Sequence, residues 1–346
     1  MRVRIQMLLS ALTAIMVTVF PATTSAQNTC ALPSESCCIT AGAHSRTWLT
    51  SGDPKALILC VHGLGLCSNG FEDFGEHMAQ RGFNCIAVDI HGFGTEDERE
   101  PIDLDGTLVD LRGLLSTIRA QYPGKPIFVV GESLGGSMAI RLAALEDGQL
   151  AGIICSAPAW KVCKQKRTVC KAVASWFQPQ QRLTWIAEAL MDEATNNPLL
   201  KKRWIEDPTH RLQMSPKEQI EVNKFVRRTP RFLSSIIHTP VLFVQRVNDR
   251  LVQPQAVAQM FAALPTRDKE FLLINGSDHL IVEEGQGDGF TIDEIGDWME
   301  GARLSSNLRN DAGAIIASGR LSDDAAKLFH IARIDRPLII SPHPPR

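Results

Sequence analysis

Gly131-Glu132-Ser133-Leu134-Gly135 ends the apolar run Ile127 to Val130 and opens a stretch of small and helix-favouring residues. A serine with glycine two residues away on each side, between a strand and a helix, can be held as a nucleophile on a sharp, strained turn. The glycines are required because the two backbones close to contact there. The plainer alternative is a Gly-rich turn that only joins two elements. A serine hydroxyl is a weak nucleophile near neutral pH, so Ser133 needs a base, and the base needs an orienting acid. On a strand-turn-helix scaffold of this kind the chain order is Ser, then Asp or Glu, then His.

The candidate base is His279 in "LLINGSDHLIVEE", which follows the last strong apolar run by a short Gly-containing loop. Of the nine histidines it alone stands at such a place. His238 precedes its strand, His62 and His91 precede Ser133, and His77 and His210 read as helix or cap surface. The candidate acid is Asp249 in "VLFVQRVNDRLVQP", four residues past Gln245; turn chemistry at Asn248-Asp249 is the alternative. Asp278 adjoins His279, and adjacent side chains rarely face each other across an imidazole. An acyl-transfer oxyanion needs two N–H donors. One is expected at Leu134, directly after the nucleophile, and the other at Leu64 in "LCVHGLGLCSNG", a Gly-rich loop leaving a strand.

The elements that position these residues are legible as short apolar runs at 56–61, 84–88, 127–130, 151–155, 240–245 and 270–274. Amphipathic segments alternate with them: Phe71, Phe74 and Met78; Leu108, Leu111, Leu115 and Ile118; about 134–146; and 289–301. This alternation predicts a mainly parallel sheet with helices on both faces and its chemistry at the carboxyl ends of the strands. It breaks between Trp160 and Phe232, a stretch holding four of the six tryptophans and more than twice as many Lys and Arg as Asp and Glu. That stretch reads as a helical, basic cap. One further helix is expected at 322–334 in a less patterned tail.

The chain has 346 residues, is 44% hydrophobic and 21% charged, and carries a net charge of −2, which gives no reason to expect nucleic-acid binding. "MRVR", the apolar run Ile5 to Phe20 and "PATTSAQ" together read as a signal peptide cleaved after Ala26, with export to the periplasm or beyond. The alternative is an uncleaved anchor, for which the run is short against the roughly 20 residues a bilayer requires. Of the nine cysteines, Cys60, Cys85 and Cys155 fall in apolar runs and read as buried thiols. Cys163 with Cys170, and Cys30 with Cys37 or Cys38, are the expected disulfides. No pair of paired cysteines has zinc-site spacing, so neither metal nor cofactor is expected.

The four segments "HGLG", "GESLGG", "RVNDRLV" and "GSDHLIVEE", with "FNCIAVDIHGFGTE" and "NNPLLKKRWIEDP", resemble the α/β-hydrolases of the monoglyceride lipase, lysophospholipase and serine-aminopeptidase-like group over about 45–302. Phe93 departs from the histidine that group often carries. The resemblance implies an α/β-hydrolase fold, a mainly parallel central sheet with a helical cap inserted after the sixth strand. It puts Ser133, Asp249 and His279 at the triad and Leu64 and Leu134 at the oxyanion hole. The expected organisation is signal peptide 1–26, linker 27–45, core 46–158, cap 159–232, core 233–302 and tail 303–346. The expected activity is a serine esterase or lipase acting on a small-molecule or lipid ester, with peripheral membrane-surface contact through the basic cap. An acyltransferase or aminopeptidase using the same triad, and a non-catalytic binding protein, are the alternatives.

Overall fold

The computed structural model describes residues 45–94, 100–161, 190–301 and 338–340, all within one compact unit, Thr40–Arg346. The signal-peptide segment, the expected disulfides and the helix expected at 322–334 lie outside the described residues. Among the described residues eight strands form one sheet: β1 (Ser45–Trp48), β2 (Ala56–Val61), β3 (Phe83–Val88), β4 (Ile127–Glu132), β5 (Gly152–Ser156), β6 (Val241–Arg246), β7 (Lys269–Ile274) and β8 (Leu338–Ile340). Their order is β1-β3-β2-β4-β5-β6-β7-β8. The edge strands β1 and β8 run antiparallel to their neighbours, and the other pairings are parallel.

The central strands are near-continuous apolar runs because helices cover both faces. Side chains alternate between those faces. Ile58, Cys60, Val130, Ile154, Leu242 and Val244 pack with Phe74 and Met78 of α1 (Glu72–Gln80) in one cluster. On the opposite face Phe243 meets Phe261 edge to face. Each such side chain, when fully buried, contributes roughly 1.5–3 kcal/mol. The helix α2 (Leu104–Gln121) buries Leu108, Leu111, Leu115 and Ile118, and its N-terminus is capped by Asp103, which accepts the Gly106 N–H. The helix α3 (Leu134–Leu145) follows β4 directly.

Residues 190–235 are helical or irregular. Asn197 caps α4 (Pro198–Glu206), and a reciprocal Ser215–Glu218 capping box starts α5 (Pro216–Arg228). Core elements resume with β6, α6 (Pro254–Ala263), β7 and α7 (Gly289–Met299). Counted from Ser45, the insertion follows the fifth strand, one earlier than expected, because only β1 precedes β2 among the described residues. The tail supplies β8, whose three residues are too few for a period to show in sequence. Cys60, Cys67, Cys85 and Cys155 are free and buried. No helix among the described residues is long and apolar enough to cross a membrane.

Candidate active site

Ser133 sits between the last residue of β4 and the first of α3 with φ 54°, a left-handed conformation that a serine rarely adopts. Packing explains why it is held there. A methyl group at Gly135 would lie 1.9 Å from the Val61 carbonyl oxygen, and one at Gly131 would lie 2.1 Å from the Gly135 carbonyl oxygen. The helix thus starts hard against β2 and its own strand. The turn is then pinned: Ser133 N–H donates to Ser156 O at 2.9 Å, and Ala159 N–H donates to Ser133 O at 2.9 Å.

Asp249 and His279 stand beyond the carboxyl ends of the neighbouring strands β6 and β7. Both are buried, and His279 Nδ1 is 2.8 Å from Asp249 Oδ2. The same oxygen accepts Gln245 Nε2–H at 2.9 Å, while Oδ1 accepts the Leu251 and Val252 N–H groups at 2.8 and 2.9 Å. Burial alone would raise the Asp249 carboxyl. The His279 charge and these hydrogen bonds outweigh it and hold the group below its usual range. Burial disfavours the His279 cation, yet Asp249, and behind it Glu132, lift the imidazole above its ordinary 6.5. An ionised Asp249 fixes the ring proton on Nδ1, so Nε2 is the basic nitrogen. Nε2 is buried and bonded to no described residue, Ser133 Oγ included. The serine-to-imidazole hydrogen bond is therefore not closed in this structure.

The loop after β2 lies against the nucleophile, since a methyl group at Gly63 would stand 3.6 Å from the Ser133 Cβ. His62 orders this loop. Its Nε2 accepts the Ile90 N–H at 2.9 Å, so Nδ1 carries the proton and donates to Gly63 O at 2.7 Å. Burial lowers the His62 pKa and keeps it neutral. Phe93 packs edge-on against the His62 ring at 5.6 Å. Leu64 is half-buried and Leu134 buried, and neither N–H donates to a described residue. A serine on a strained turn, an imidazole held by a carboxylate and a pair of unengaged N–H groups are the parts that a nucleophilic acyl-transfer centre requires. No metal-binding cluster of His, Cys, Asp and Glu occurs among the described residues.

The sequence model of the family described as serine aminopeptidase, S33, matches residues 52–286. The chain belongs to this family of serine hydrolases. The S33-family chain is 26% identical over 248 residues to a monoglyceride lipase of Homo sapiens, an alignment covering 69% of this chain and 80% of that protein. Its fold is similar to that of a Paleococcus ferrophilus monoacylglycerol lipase (TM-score 0.60, 23% identity, 75% of this chain and 98% of that one). It is also similar to a thermostable carboxyl esterase from Bacillus coagulans (TM-score 0.65, 16% identity, 75% and 93%).

Other residues of the S33-family chain take places that sequence spacing did not indicate. Asp278 accepts the Asn196 N–H at 3.1 Å, tying the segment before α4 to the loop that carries His279. His279 N–H donates to Ala194 O at 2.7 Å from the same cap segment. His210, expected at the surface, is buried with Nε2 3.6 Å from Glu284 Oε1, because the turn at 207–212 folds onto the loop after β2. Its neighbour Arg211 donates from the backbone to Gly65 O and from Nη1 to Gly92 O and Glu100 O at 2.7 and 2.6 Å. Glu218 answers its charge at 2.5 Å. Glu132 and Glu283 are wholly buried beside the site. A charge ending an apolar strand was a sequence signal for Glu132. Glu283, in "VEEG", carried none.

Proposed function

We propose that this chain hydrolyses carboxylic esters of the monoacylglycerol, lysolipid or short-chain class through an acyl-enzyme on Ser133. The observation that carries the reading is the 2.8 Å contact of His279 Nδ1 with Asp249. It leaves Nε2 as a buried base on the loop that Glu132, the residue before Ser133, holds by hydrogen bonds. As Ser133 Oγ attacks the ester carbon, its proton passes to Nε2 and the carbonyl electron pair moves to oxygen. The Leu64 and Leu134 N–H groups receive that oxyanion, an effect worth roughly 3–4 kcal/mol per donor. When the oxyanion collapses, His279 protonates the departing alcohol and the acyl group stays on Ser133. Water, deprotonated by His279, then releases the acid and returns the proton to Ser133. Asp249 stays ionised throughout and offsets the imidazolium charge.

The relatives named as monoglyceride lipases support an ester of this kind. The exposed Leu199 and Ile205 beside Lys202 on α4 support contact of the cap with a lipid surface. The N-terminal segment supports export, and the mature protein is expected to begin at Gln27 by N-terminal sequencing. The deciding experiment combines a fluorophosphonate label with a panel of p-nitrophenyl esters, monoacylglycerols and aminoacyl amides. The wild type should label at Ser133 and turn over esters, and Ser133→Ala should do neither. Turnover of aminoacyl amides in preference to every ester would replace this reading by the aminopeptidase one.

A further inference from the structure

Two buried carboxyl groups next to the site take no part in the steps above. Glu132 Oε1 accepts the Ser156 hydroxyl at 2.6 Å and the Ile281 N–H at 2.7 Å. Its Oε2 accepts the Val282 and Glu283 N–H groups at 3.1 and 2.8 Å. The residue before the nucleophile therefore grips the segment just after His279. Glu283 ends that segment and passes the connection on: its Oε1 accepts the Gly63 N–H at 2.7 Å. Its Oε2 is buried and bonded to no described residue.

Gly63 is the residue whose two peptide planes decide where the Leu64 N–H points. His62 Nδ1–H and Leu66 N–H hold its carbonyl, and Glu283 holds its N–H. We propose that Glu283 is a positioning residue for the oxyanion donor Leu64, its bond to Gly63 aiming that N–H from a segment that Glu132 anchors to the nucleophile turn. The proposal rests on acyl transfer at Ser133.

Charge matters to this role. Burial drives the Glu283 carboxyl well above the usual range, Glu132 and Glu284 push it the same way, and one N–H bond opposes them. Burial raises the Glu132 carboxyl too, against four hydrogen bonds and the His279 imidazole, which favour its ionised form. Of the pair, Glu132 thus has the more support for a charge and Glu283 the less. An ionised Glu283, bonded to the residue before the Leu64 donor, would oppose the negative charge that develops there. The other titratable or charged groups facing this set are Asp249 and Arg246 toward His279, and Cys60 toward Glu283.

The two glutamates should therefore answer oppositely to conversion to glutamine. Glu283→Gln keeps a neutral acceptor for Gly63. Glu132→Gln must turn an NH2 toward N–H donors. The test measures kcat, KM and the pH dependence of kcat/KM on a soluble short-chain p-nitrophenyl ester, with melting temperature as the control for folding. Glu283→Ala should lower kcat on the order of 30-fold with KM within about threefold, part of the roughly 100-fold or more that losing a donor outright costs. Glu283→Gln should restore kcat to at least about ten times the Ala value and leave the acidic limb where it lies in the wild type. Glu132→Gln should lower kcat at least about tenfold and move that limb to lower pH, since an ionised Glu132 raises His279. Should the Ala variant not fold, Glu283→Met takes its place, as it keeps volume without an acceptor oxygen. Wild-type kcat in Glu283→Ala or Met overturns the proposal. So does a Gln variant no better than Ala, or an acidic limb displaced in Glu283→Gln. Ser133→Ala separates the two levels: if it still hydrolyses the ester, acyl transfer at Ser133 is the part that fails.

Discussion

Asp249→Asn probes the hydrogen-bond logic of the site more sharply than removal of the side chain. The Leu251 and Val252 N–H groups, Gln245 Nε2 and His279 Nδ1 all donate to this carboxylate. An amide has one accepting end. If its oxygen keeps the two backbone donors, its NH2 meets Gln245 Nε2 and His279 Nδ1. The imidazole can answer only by moving its proton to Nε2, and in that tautomer it cannot take the Ser133 proton. A wrong tautomer of this kind costs about 10⁴ in kcat in serine proteases. At 1.36 kcal/mol per tenfold that is about 5.4 kcal/mol of transition-state stabilisation. KM should change little, because Asp249 is buried behind His279 and ester binding does not use it. The assay is steady-state hydrolysis of p-nitrophenyl butyrate on protein whose circular dichroism matches the wild type. A kcat within tenfold of the wild type would refute the assignment of Asp249 as the orienting acid.

As pH rises through the His279 value, activity and the stability that His279 contributes should respond in opposite directions. His279 must be neutral to act, and Asp249 raises its pKa above 6.5, so kcat/KM should fall along an acidic limb centred above pH 6.5. For stability the raised His279 pKa is a contribution present below 6.5 and lost as pH rises through the folded value, while the lowered Asp249 pKa contributes above 3.8 and is lost as pH falls through its folded value. Chemical denaturation across pH should place the pair's greatest stabilisation between those limits, and Asp249→Asn should remove it. Two glycines should separate close packing from mere helix propensity. Gly135→Ala drives a methyl group into backbone atoms of Val61 and His62 that cannot yield, so a loss of about 3 kcal/mol or more is expected with activity. Gly113→Ala on α2 meets nothing within 4 Å and should gain up to about 1 kcal/mol, read as an increase in melting temperature.

Ser133, Asp249 and His279, the candidate nucleophile, acid and base, stand out in the sequence because each sits on a local pattern: an apolar run, then a short turn, then the residue. Parallel strands buried on both faces leave that pattern in sequence, since every position must be apolar and the chemistry can appear only where the strand ends. The glycines at 131 and 135 were readable for a similar reason, as only glycine permits the contacts found there. The edge strands β1 and β8 were not readable. At four and three residues they are too short for a period, and each is a strand only by pairing with a central one.

Residue types and their order thus determined the six inner strands, the turn at Ser133 and the candidate triad, because these depend on backbone constraints a few residues long. Tertiary structure alone decided how the loops are held to one another. Glu283 reaches Gly63 across 220 positions and Glu132 reaches Glu283 across 151. Arg211 reaches Gly92 across 119. A glutamate or arginine in a polar stretch reads as solvated, and in sequence nothing separates one that stays in water from one that folds inward. The difference is the presence of a buried backbone donor or acceptor at the right place, and the fold creates that place only when distant segments meet.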